Sequence, residues 1–151
     1  MIKTLNFDMD GTIADLYAVE NWLPKLRAYD ATPYIEAAPM LNLSTLARYL
    51  NKARRNGWTV NIVSWLSKDP DPTYGEAVMQ AKIDWLKTHL PSVDFDRIII
   101  VPYGTPKYTL AKGFLFDDEM KNREDWNKAN KSNHAFDADL ILDVLRDILN
   151  D

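Results

Sequence analysis

Residues 6–15 read NFDMDGTIAD. A short β-rich run at residues 2–7 ends within this stretch, and Asp8 and Asp10 follow with one residue between them. Two carboxylates this close repel each other unless a positive charge lies between them. The stretch therefore predicts the end of a first strand, followed either by a solvated turn or by two acids that share a cation.

Strands and helices alternate along the rest of the chain. Short runs rich in β-branched and aromatic residues predict further strands at residues 58–64, 97–101, 113–116 and 134–136. Apolar residues at helical spacing, together with start and stop signals, predict helices at residues 15–29, 43–56 and 76–90, from 105–107 onward, and after Asp137. This alternation is typical of a parallel sheet covered on both faces. We expect a three-layer α/β/α sandwich with a mostly parallel, Rossmann-like sheet, in a single domain spanning residues 1–151.

The composition narrows the class of protein. The 151 residues are 46% hydrophobic and include five Trp, enough to fill the core of one domain. The net charge of −4 argues against a broad basic face for nucleic acid or a membrane surface. The chain has no cysteine, which excludes disulfides, a thiolate nucleophile and thiolate zinc sites. With no visible targeting segment and no run of about 18 apolar residues, we expect a cytoplasmic protein that does not span a membrane.

Polar side chains follow each of the first four predicted strands. In open α/β sheets, ligands bind beyond the carboxyl ends of the strands, so we expect these side chains to converge on one site. The candidate site residues at these strand ends are Asp8, Asp10, Gly11 and Thr12 after the first strand, Ser64 and Trp65 after the second, Lys107 after the third, and Asp117 and Asp118 after the fourth.

These residue types suit the transfer of a phosphoryl group. That reaction needs a nucleophile, positive charge beside the phosphate oxygens and a proton for the leaving oxygen. Carboxylate clusters with oxygen ligands alone suit Mg²⁺, and Asp8 together with Asp117 or Asp118 could hold such an ion. Asp10 could protonate the leaving oxygen and later activate water.

The phosphate group of a substrate would bind beside these acids. Ser64 and nearby backbone N–H groups are candidates to hold its oxygens, and Lys107 would supply positive charge. We also expect Gly11, Thr12 and Trp65 to contact the phosphate. The N-terminus of the helix predicted at Lys107 would attract the same anion.

Four motifs of this chain resemble the signature motifs of the haloacid dehalogenase superfamily of phosphatases. In order they are Asp8-Met9-Asp10-Gly11-Thr12, Ser64, Lys107 and Asp117-Asp118, and the resemblance covers roughly residues 5–119. It implies that Asp8 is a nucleophile that forms an aspartyl phosphate and that Asp10 is the general acid and base. It also implies that the backbone carbonyl of Asp10 joins the carboxylates as a ligand of Mg²⁺. Which of Asp117 and Asp118 contacts the metal, and which orients Lys107 or a metal-bound water, is left open.

Members of this superfamily select their substrates with an inserted cap. Here the spacing leaves room for a small helical cap at residues 15–40 and for no second insertion, so we expect a fairly open site. The compact form with a final Asp-Asp pair is similar to 5'(3')-deoxyribonucleotidases, which implies a nucleoside monophosphate as the small phosphorylated substrate. Aromatic residues that could stack on its base are Tyr17, Trp22, Tyr34, Trp65 and Tyr103.

Other functions stay open. One is a phosphatase of another small phosphoester, or of a 3'-phosphate at a nucleic-acid end, similar to the phosphatase half of polynucleotide kinase-phosphatases. Lys52, Arg54 and Arg55 form a small basic patch, whereas the net charge of −4 weighs against a long polynucleotide partner. Another is a catalytically silent binding module on the same fold, which the loss of Asp8 or Asp10 would signal. Neither is lost.

Overall fold

The structure, a computed structural model, describes residues 1–68 and 71–149. Residues 69, 70, 150 and 151 of the predicted domain lie outside the described residues. In chain order the strands are β1 (Thr4–Phe7), β2 (Ala14–Asp15), β3 (Ala38–Pro39), β4 (Thr59–Trp65), β5 (Arg97–Val101), β6 (Phe114–Phe116) and β7 (Ala135–Phe136). The helices are α1 (Trp22–Arg27), α2 (Thr32–Glu36), α3 (Leu43–Arg55), α4 (Pro72–His89), α5 (Met120–Asn130) and α6 (Ile141–Ile148).

Five strands form a parallel sheet in the order β5-β4-β1-β6-β7. The central strand β1 pairs with β4 on one side and β6 on the other, with Leu5 opposite both Val60 and Phe114. Helices flank this sheet, so the predicted α/β sandwich is confirmed. The carboxyl ends of β1, β4 and β6 therefore meet at one edge.

The core explains the apolar residues of the inner strands β1, β4 and β6, whereas the apolar run of the outer strand β5 is only partly buried. Leu5, Phe7, Val60, Ile62 and Phe116 are all at most 1% exposed, as expected for strands covered on both faces. Helices α3, α4 and α6 contribute their apolar faces to the same cluster. Within the described ranges, no helix has the length and apolar character needed to cross a membrane.

Several predicted helix boundaries hold. Helix α3 begins where its cap, Asn42, accepts a hydrogen bond from the Thr45 N–H at 3.0 Å, and it ends just before Gly57. Asp137 caps the last helical segment through the Ala138 N–H at 2.7 Å, although a three-residue 3₁₀ turn precedes α6. Helix α4 begins four residues earlier than predicted, because Asp71 caps it and Pro72 suits its first turn.

Two predicted helices are wrong. The chain after Pro106 forms only a three-residue 3₁₀ turn, Lys107–Thr109, too short to present a helix N-terminus to an anion. The predicted helix at residues 15–29 is divided into a 3₁₀ turn at Leu16–Ala18 and the short α1, because Asn21 between them has a left-handed φ of 58°.

The segment between β1 and α3 folds back on the sheet edge as a compact insertion. Its base is an antiparallel ribbon of β2 and β3, which pairs Ala14 with Pro39. Helix α2 packs on α4, where Tyr34 and Val78 share one cluster, and α1 packs on α2. The Tyr74 hydroxyl of α4 donates to the Asp30 carbonyl at 3.0 Å. The insertion is therefore anchored to α4. Its role as a cap stays a prediction.

Candidate active site

A tight turn after β1 presents the first two acids. The Met9 carbonyl accepts hydrogen bonds from the N–H groups of residues 12, 13 and 14 at 2.9–3.0 Å. Gly11 has a φ of 78°, and a Cβ there would meet the Asp118 carboxylate and come within 2.8 Å of Tyr17 Cε2. The turn therefore needs glycine both for its backbone conformation and to let Asp118 approach.

Both carboxylate oxygens of Asp8 accept a hydrogen bond from a side chain of the site. Its Oδ1 accepts a hydrogen bond from Lys107 Nζ at 3.0 Å, and its Oδ2 accepts one from the Thr12 hydroxyl at 3.0 Å. Lys107 is buried and also donates to Asp117 Oδ2 at 2.7 Å. Burial alone would lower the pKa of Lys107, but the Asp8 and Asp117 charges raise it above its usual value, so the lysine is charged.

Asp117 is fully buried, and its carboxylate is surrounded by N–H donors. Its Oδ1 accepts from the Glu119 N–H at 2.9 Å, and its Oδ2 accepts from Asn122 Nδ2 at 3.1 Å in addition to Lys107. Its backbone carbonyl accepts from Arg123 Nη1 at 3.0 Å. Burial and the Asp8 charge raise the pKa of Asp117 to about 6, while Lys107 opposes them. Asn122 and Arg123 were not predicted as site residues, because no motif marks them in the helix that follows the acids.

Asp118 has fewer donors. Its Oδ1 lies 3.3 Å from the Thr12 hydroxyl, which has one proton to give to Asp8 or Asp118, and its N–H donates back to the Thr12 Oγ1 at 3.2 Å. Burial, followed by the Asp8 charge, raises the pKa of Asp118 to about 8. Negative charge is therefore incompletely offset on this side of the site.

Three carboxylates fit a divalent cation. Asp8, Asp117 and Asp118 each place an oxygen within 4.8 Å of the others. The donors are all hard oxygens, which Mg²⁺ prefers. Burial and then the Asp8 charge raise the pKa of Asp118, so a cation beside these acids would favour their charged form. The Asp10 carboxylate is not part of this cluster, so the predicted contribution of Asp10 would come from its backbone carbonyl.

Asp10 has a different partner, one that the sequence analysis missed. Lys82 on α4 is 1% exposed, and its Nζ donates to Asp10 Oδ2 at 2.7 Å. Burial raises the pKa of Asp10, while the Lys82 charge opposes that shift. A signal did exist, because Lys82 lies on the helical stripe of Val78 and Trp85, where an apolar residue is expected.

A cavity of about 700 Å³ opens above these groups. It is lined by Asp8, Asp10, Lys107, Asp117 and Asp118, and by all five aromatic candidates, Tyr17, Trp22, Tyr34, Trp65 and Tyr103. The Trp65 and Tyr103 rings contact each other at 4.8 Å between centroids, and the Trp65 indole N–H donates to the Thr105 carbonyl at 2.8 Å. The sheet topology thus brings acids, lysine and aromatic rings to one opening.

Three predicted phosphate-binding residues lie behind the cavity wall. Ser64 is fully buried, and its hydroxyl oxygen accepts from Lys82 Nζ at 2.7 Å. The N–H groups of Gly11 and Thr12 donate to carbonyls within the turn. Direct contact between these three residues and a phosphate stays a prediction.

Comparisons with known proteins bear on the fold. No protein-family model matches this chain, and no curated protein matches it. Among solved structures, it is similar to the crystal structure of D,D-heptose 1,7-bisphosphate phosphatase from Burkholderia thailandensis, with 13% sequence identity, 99% of each chain covered and a TM-score of 0.56. At this identity the likeness shows a shared fold over the whole chain.

Proposed function

We propose that this chain is a Mg²⁺-dependent phosphomonoester hydrolase of the haloacid dehalogenase type, with Asp8 as its nucleophile. The observation that carries the proposal is the setting of Asp8 at the cavity. Lys107 and Thr12 hold its two oxygens, and the carboxylates of Asp117 and Asp118 lie within 4.8 Å. The fold supports the same conclusion, because a phosphatase of a sugar bisphosphate shares it.

The reaction has two halves, with Asp10 carrying the proton. In the first, an Asp8 oxygen bonds to phosphorus, the ester P–O bond breaks, and the Asp10 proton moves to the leaving oxygen. In the second, a water oxygen attacks phosphorus, its proton moves to Asp10, and the bond from Asp8 breaks to release inorganic phosphate. The raised pKa of Asp10, caused by burial, suits a group that must hold a proton.

The metal and phosphate contacts can be divided among the remaining residues. Asp8, Asp118 and the Asp10 carbonyl would hold Mg²⁺, which when bound supplies positive charge to the phosphate oxygens. Asp117 is better suited to orient Lys107, because it is fully buried and accepts hydrogen bonds from three N–H donors, the shortest from Lys107 Nζ at 2.7 Å. Lys107 would be the main protein cation for the phosphate.

A nucleoside monophosphate is the proposed substrate. The cavity has the volume of a small-molecule site. Five aromatic rings line it, and Trp65 is the one nearest Lys107, whose Nζ lies 5.3 Å from the ring centroid. A flat base could stack on these rings while its phosphate reaches Asp8.

The alternative substrate, a 3'-phosphate at a nucleic-acid end, has less support. The basic patch lies at the end of α3, just before β4 begins at Thr59, whereas the cavity lies at the other end of β4. Arg54 of this patch is also paired with Asp96 at 3.2 Å. The patch is therefore badly placed to guide a polynucleotide to Asp8. A different small phosphoester remains the second candidate, since the sugar-bisphosphate phosphatase shares the fold.

A panel assay tests the proposal. Phosphate release is measured from 5'- and 3'-nucleoside monophosphates, sugar phosphates and a 3'-phosphorylated oligonucleotide, with Mg²⁺ and with EDTA. The variants are Asp8→Asn and, as a matched control, Asp94→Asn, whose side chain is 90% exposed. Circular dichroism checks that both fold.

We expect turnover that needs Mg²⁺, disappears in Asp8→Asn and persists in Asp94→Asn, with a nucleoside monophosphate as the best substrate. A sugar phosphate as the best substrate would overturn the nucleotide assignment alone. No release from any compound would overturn the phosphatase assignment and favour a silent binding module. Full activity in Asp8→Asn would overturn Asp8 as the nucleophile.

A further inference from the structure

Lys82 has all its hydrogen-bonding capacity fixed inside the protein. Its Nζ donates to Asp10 Oδ2, to the Ser64 hydroxyl oxygen and to the Trp65 carbonyl, each at 2.7 Å. An ammonium has three N–H donors, so these three acceptors use all of them. With only 1% of its side chain exposed, the lysine has no contact with bulk water.

Two of the acceptors belong to one rigid element, the end of β4. The Trp65 carbonyl is part of the strand backbone, and Ser64 is fully buried. They hold the ammonium so that its third N–H is directed at Asp10, in the loop after β1. Lys82 thus links the helix α4 and the end of β4 to an acid 72 positions away in sequence.

Stabilisation of the fold does not account for this arrangement by itself. Burying two charges costs solvation that their attraction repays only in part, and an apolar side chain can often replace such a pair. The same face of α4 carries the buried Val78 and Trp85, so an apolar residue would suit the position. The lysine instead contacts Oδ2 of an acid that lines the cavity, and Oδ1 is the oxygen left for the substrate in the proposed reaction.

We propose that Lys82 is a positioning residue for Asp10: anchored on Ser64 and Trp65, it holds Asp10 Oδ2 so that Oδ1 faces the leaving oxygen of the substrate. The inference rests on the proposed function, in which Asp10 protonates that oxygen. Lys82 transfers no proton and touches no substrate. Ser64 then serves as an anchor for Lys82, whether or not it also contacts phosphate.

The test compares two leaving groups with the full chain and Mg²⁺. An alkyl phosphate must have its leaving oxygen protonated, whereas p-nitrophenyl phosphate releases a stable phenolate that needs little help. Because a positioned general acid contributes about 10²–10⁴-fold, we expect Lys82→Met to lower kcat/KM for the alkyl phosphate at least ~10-fold more than for p-nitrophenyl phosphate. The matched control is Lys87→Met, on the same helix but exposed, which should change neither value.

Several outcomes would overturn the inference. A role in folding alone would lower kcat/KM equally for both substrates, and a lysine without a role would leave both unchanged. Asp10→Asn should by itself raise the ratio of p-nitrophenyl to alkyl kcat/KM, and adding Lys82→Met should raise it no further. The double variant removes both charges, so neither is left unpaired. It can therefore be tested even where Lys82→Met alone does not fold. A ratio higher than that of Asp10→Asn alone would contradict the proposal.

Failure of this inference can be told apart from failure of the proposed function. An inactive wild type removes the phosphatase assignment itself, and an active Asp8→Asn removes the assignment of Asp8 as the nucleophile. An active wild type with an inactive Asp8→Asn, but with equal losses for the two leaving groups in Lys82→Met, removes only the role of Lys82.

Discussion

Asp8 and Asp10 are two residues apart, yet each has its own lysine. Lys107 donates to Asp8 Oδ1 at 3.0 Å, and Lys82 donates to Asp10 Oδ2 at 2.7 Å. The side chains are 10% and 17% exposed, so the turn is not solvated, and the acids do not share a single lysine. Separate surroundings are how two neighbouring acids take different roles in one reaction.

Gly11 offers a residue-scale prediction with a matched control. Gly11→Ala combines a φ of 78° with a collision against Asp118 and Tyr17, whereas Gly57→Ala has a φ of 86° and open space around it. A left-handed residue with a Cβ costs about 1–2 kcal/mol. We expect Gly57→Ala to lose about that much free energy of unfolding in urea, with phosphatase activity unchanged.

Gly11→Ala should lose more stability than Gly57→Ala, and most of its activity, because Asp118 must move away from the metal site. Urea unfolding and phosphate release at several Mg²⁺ concentrations measure both effects. Equal losses of stability in the two variants, with activity retained in Gly11→Ala, would show that the approach of Asp118 is unimportant.

Residues that follow strands were predictable, and residues that reach the site from helices were not. Asp8 and Asp117 could be found because the end of a parallel strand fixes their position along the sheet edge. Lys107 lies further on, in the 3₁₀ turn after β5, and was found because it follows that strand in the chain. Whether the side chains of Lys82 and Asn122 reach the site depends on which way their helices face and on which strands those helices pack against. A lysine on an apolar stripe was the signal for Lys82, whereas Asn122 had none.

At the scale of elements, burial decided which predictions held. The inner strands β1, β4 and β6 and the helix α3 were predictable because their apolar residues form the buried core. The outer strand β5 was predictable from its run of β-branched residues, although it is only partly buried. The predicted helix at residue 105 rested on Pro106 as a start signal, without an apolar stripe after it, and only a 3₁₀ turn forms there. Local start signals allow a helix, but packing against the sheet is what extends it.

The insertion that contains α1 offers an element-scale prediction. Trp22 begins α1 and lines the cavity, where its ring contacts Tyr17 at 5.0 Å between centroids. If it stacks on a base, Trp22→Ala should raise KM for a nucleoside monophosphate about tenfold, because base stacking on an aromatic ring contributes about 1–3 kcal/mol. Steady-state kinetics with a nucleotide measure this.

Two controls separate stacking from damage to the insertion. Trp22→Phe keeps an aromatic ring and should retain most of the affinity for the nucleotide. A phosphoester without a ring should show the same KM in wild type and Trp22→Ala. An equal rise in KM for both substrates would mean that the insertion positions the site as a whole and does not recognise a base.

At the scale of the whole molecule, folding buries two acids of the site and places them beside Asp8, which costs stability once they are charged. Asp has an ordinary pKa of 3.8, and in the folded protein the pKa of Asp118 rises to about 8 and that of Asp117 to about 6. At a pH between the ordinary pKa of 3.8 and the raised pKa of about 8, the folded state binds more protons than the unfolded chain. The free energy of unfolding of the metal-free protein should therefore fall as the pH rises from about 5 to 8.

Urea unfolding in EDTA at pH 5 and pH 8 measures this loss. Mg²⁺ should restore stability at pH 8, because it binds the folded state and not the unfolded chain. Asp118→Asn should flatten the pH dependence and remove most of the effect of Mg²⁺. A metal-free wild type that becomes more stable as the pH rises would show that folding does not raise the pKa values of these acids.

The central claim is that the phosphoryl group passes through Asp8, and trapping the intermediate tests it most directly. The enzyme is mixed with substrate and Mg²⁺, quenched in acid during turnover, and reduced with borohydride, which converts an aspartyl phosphate to homoserine. Peptide mass spectrometry then locates the change. We predict homoserine at residue 8, in samples that contain substrate and not in Asp8→Asn. Phosphate release that continues without homoserine at residue 8, or with homoserine at another aspartate, would contradict the account.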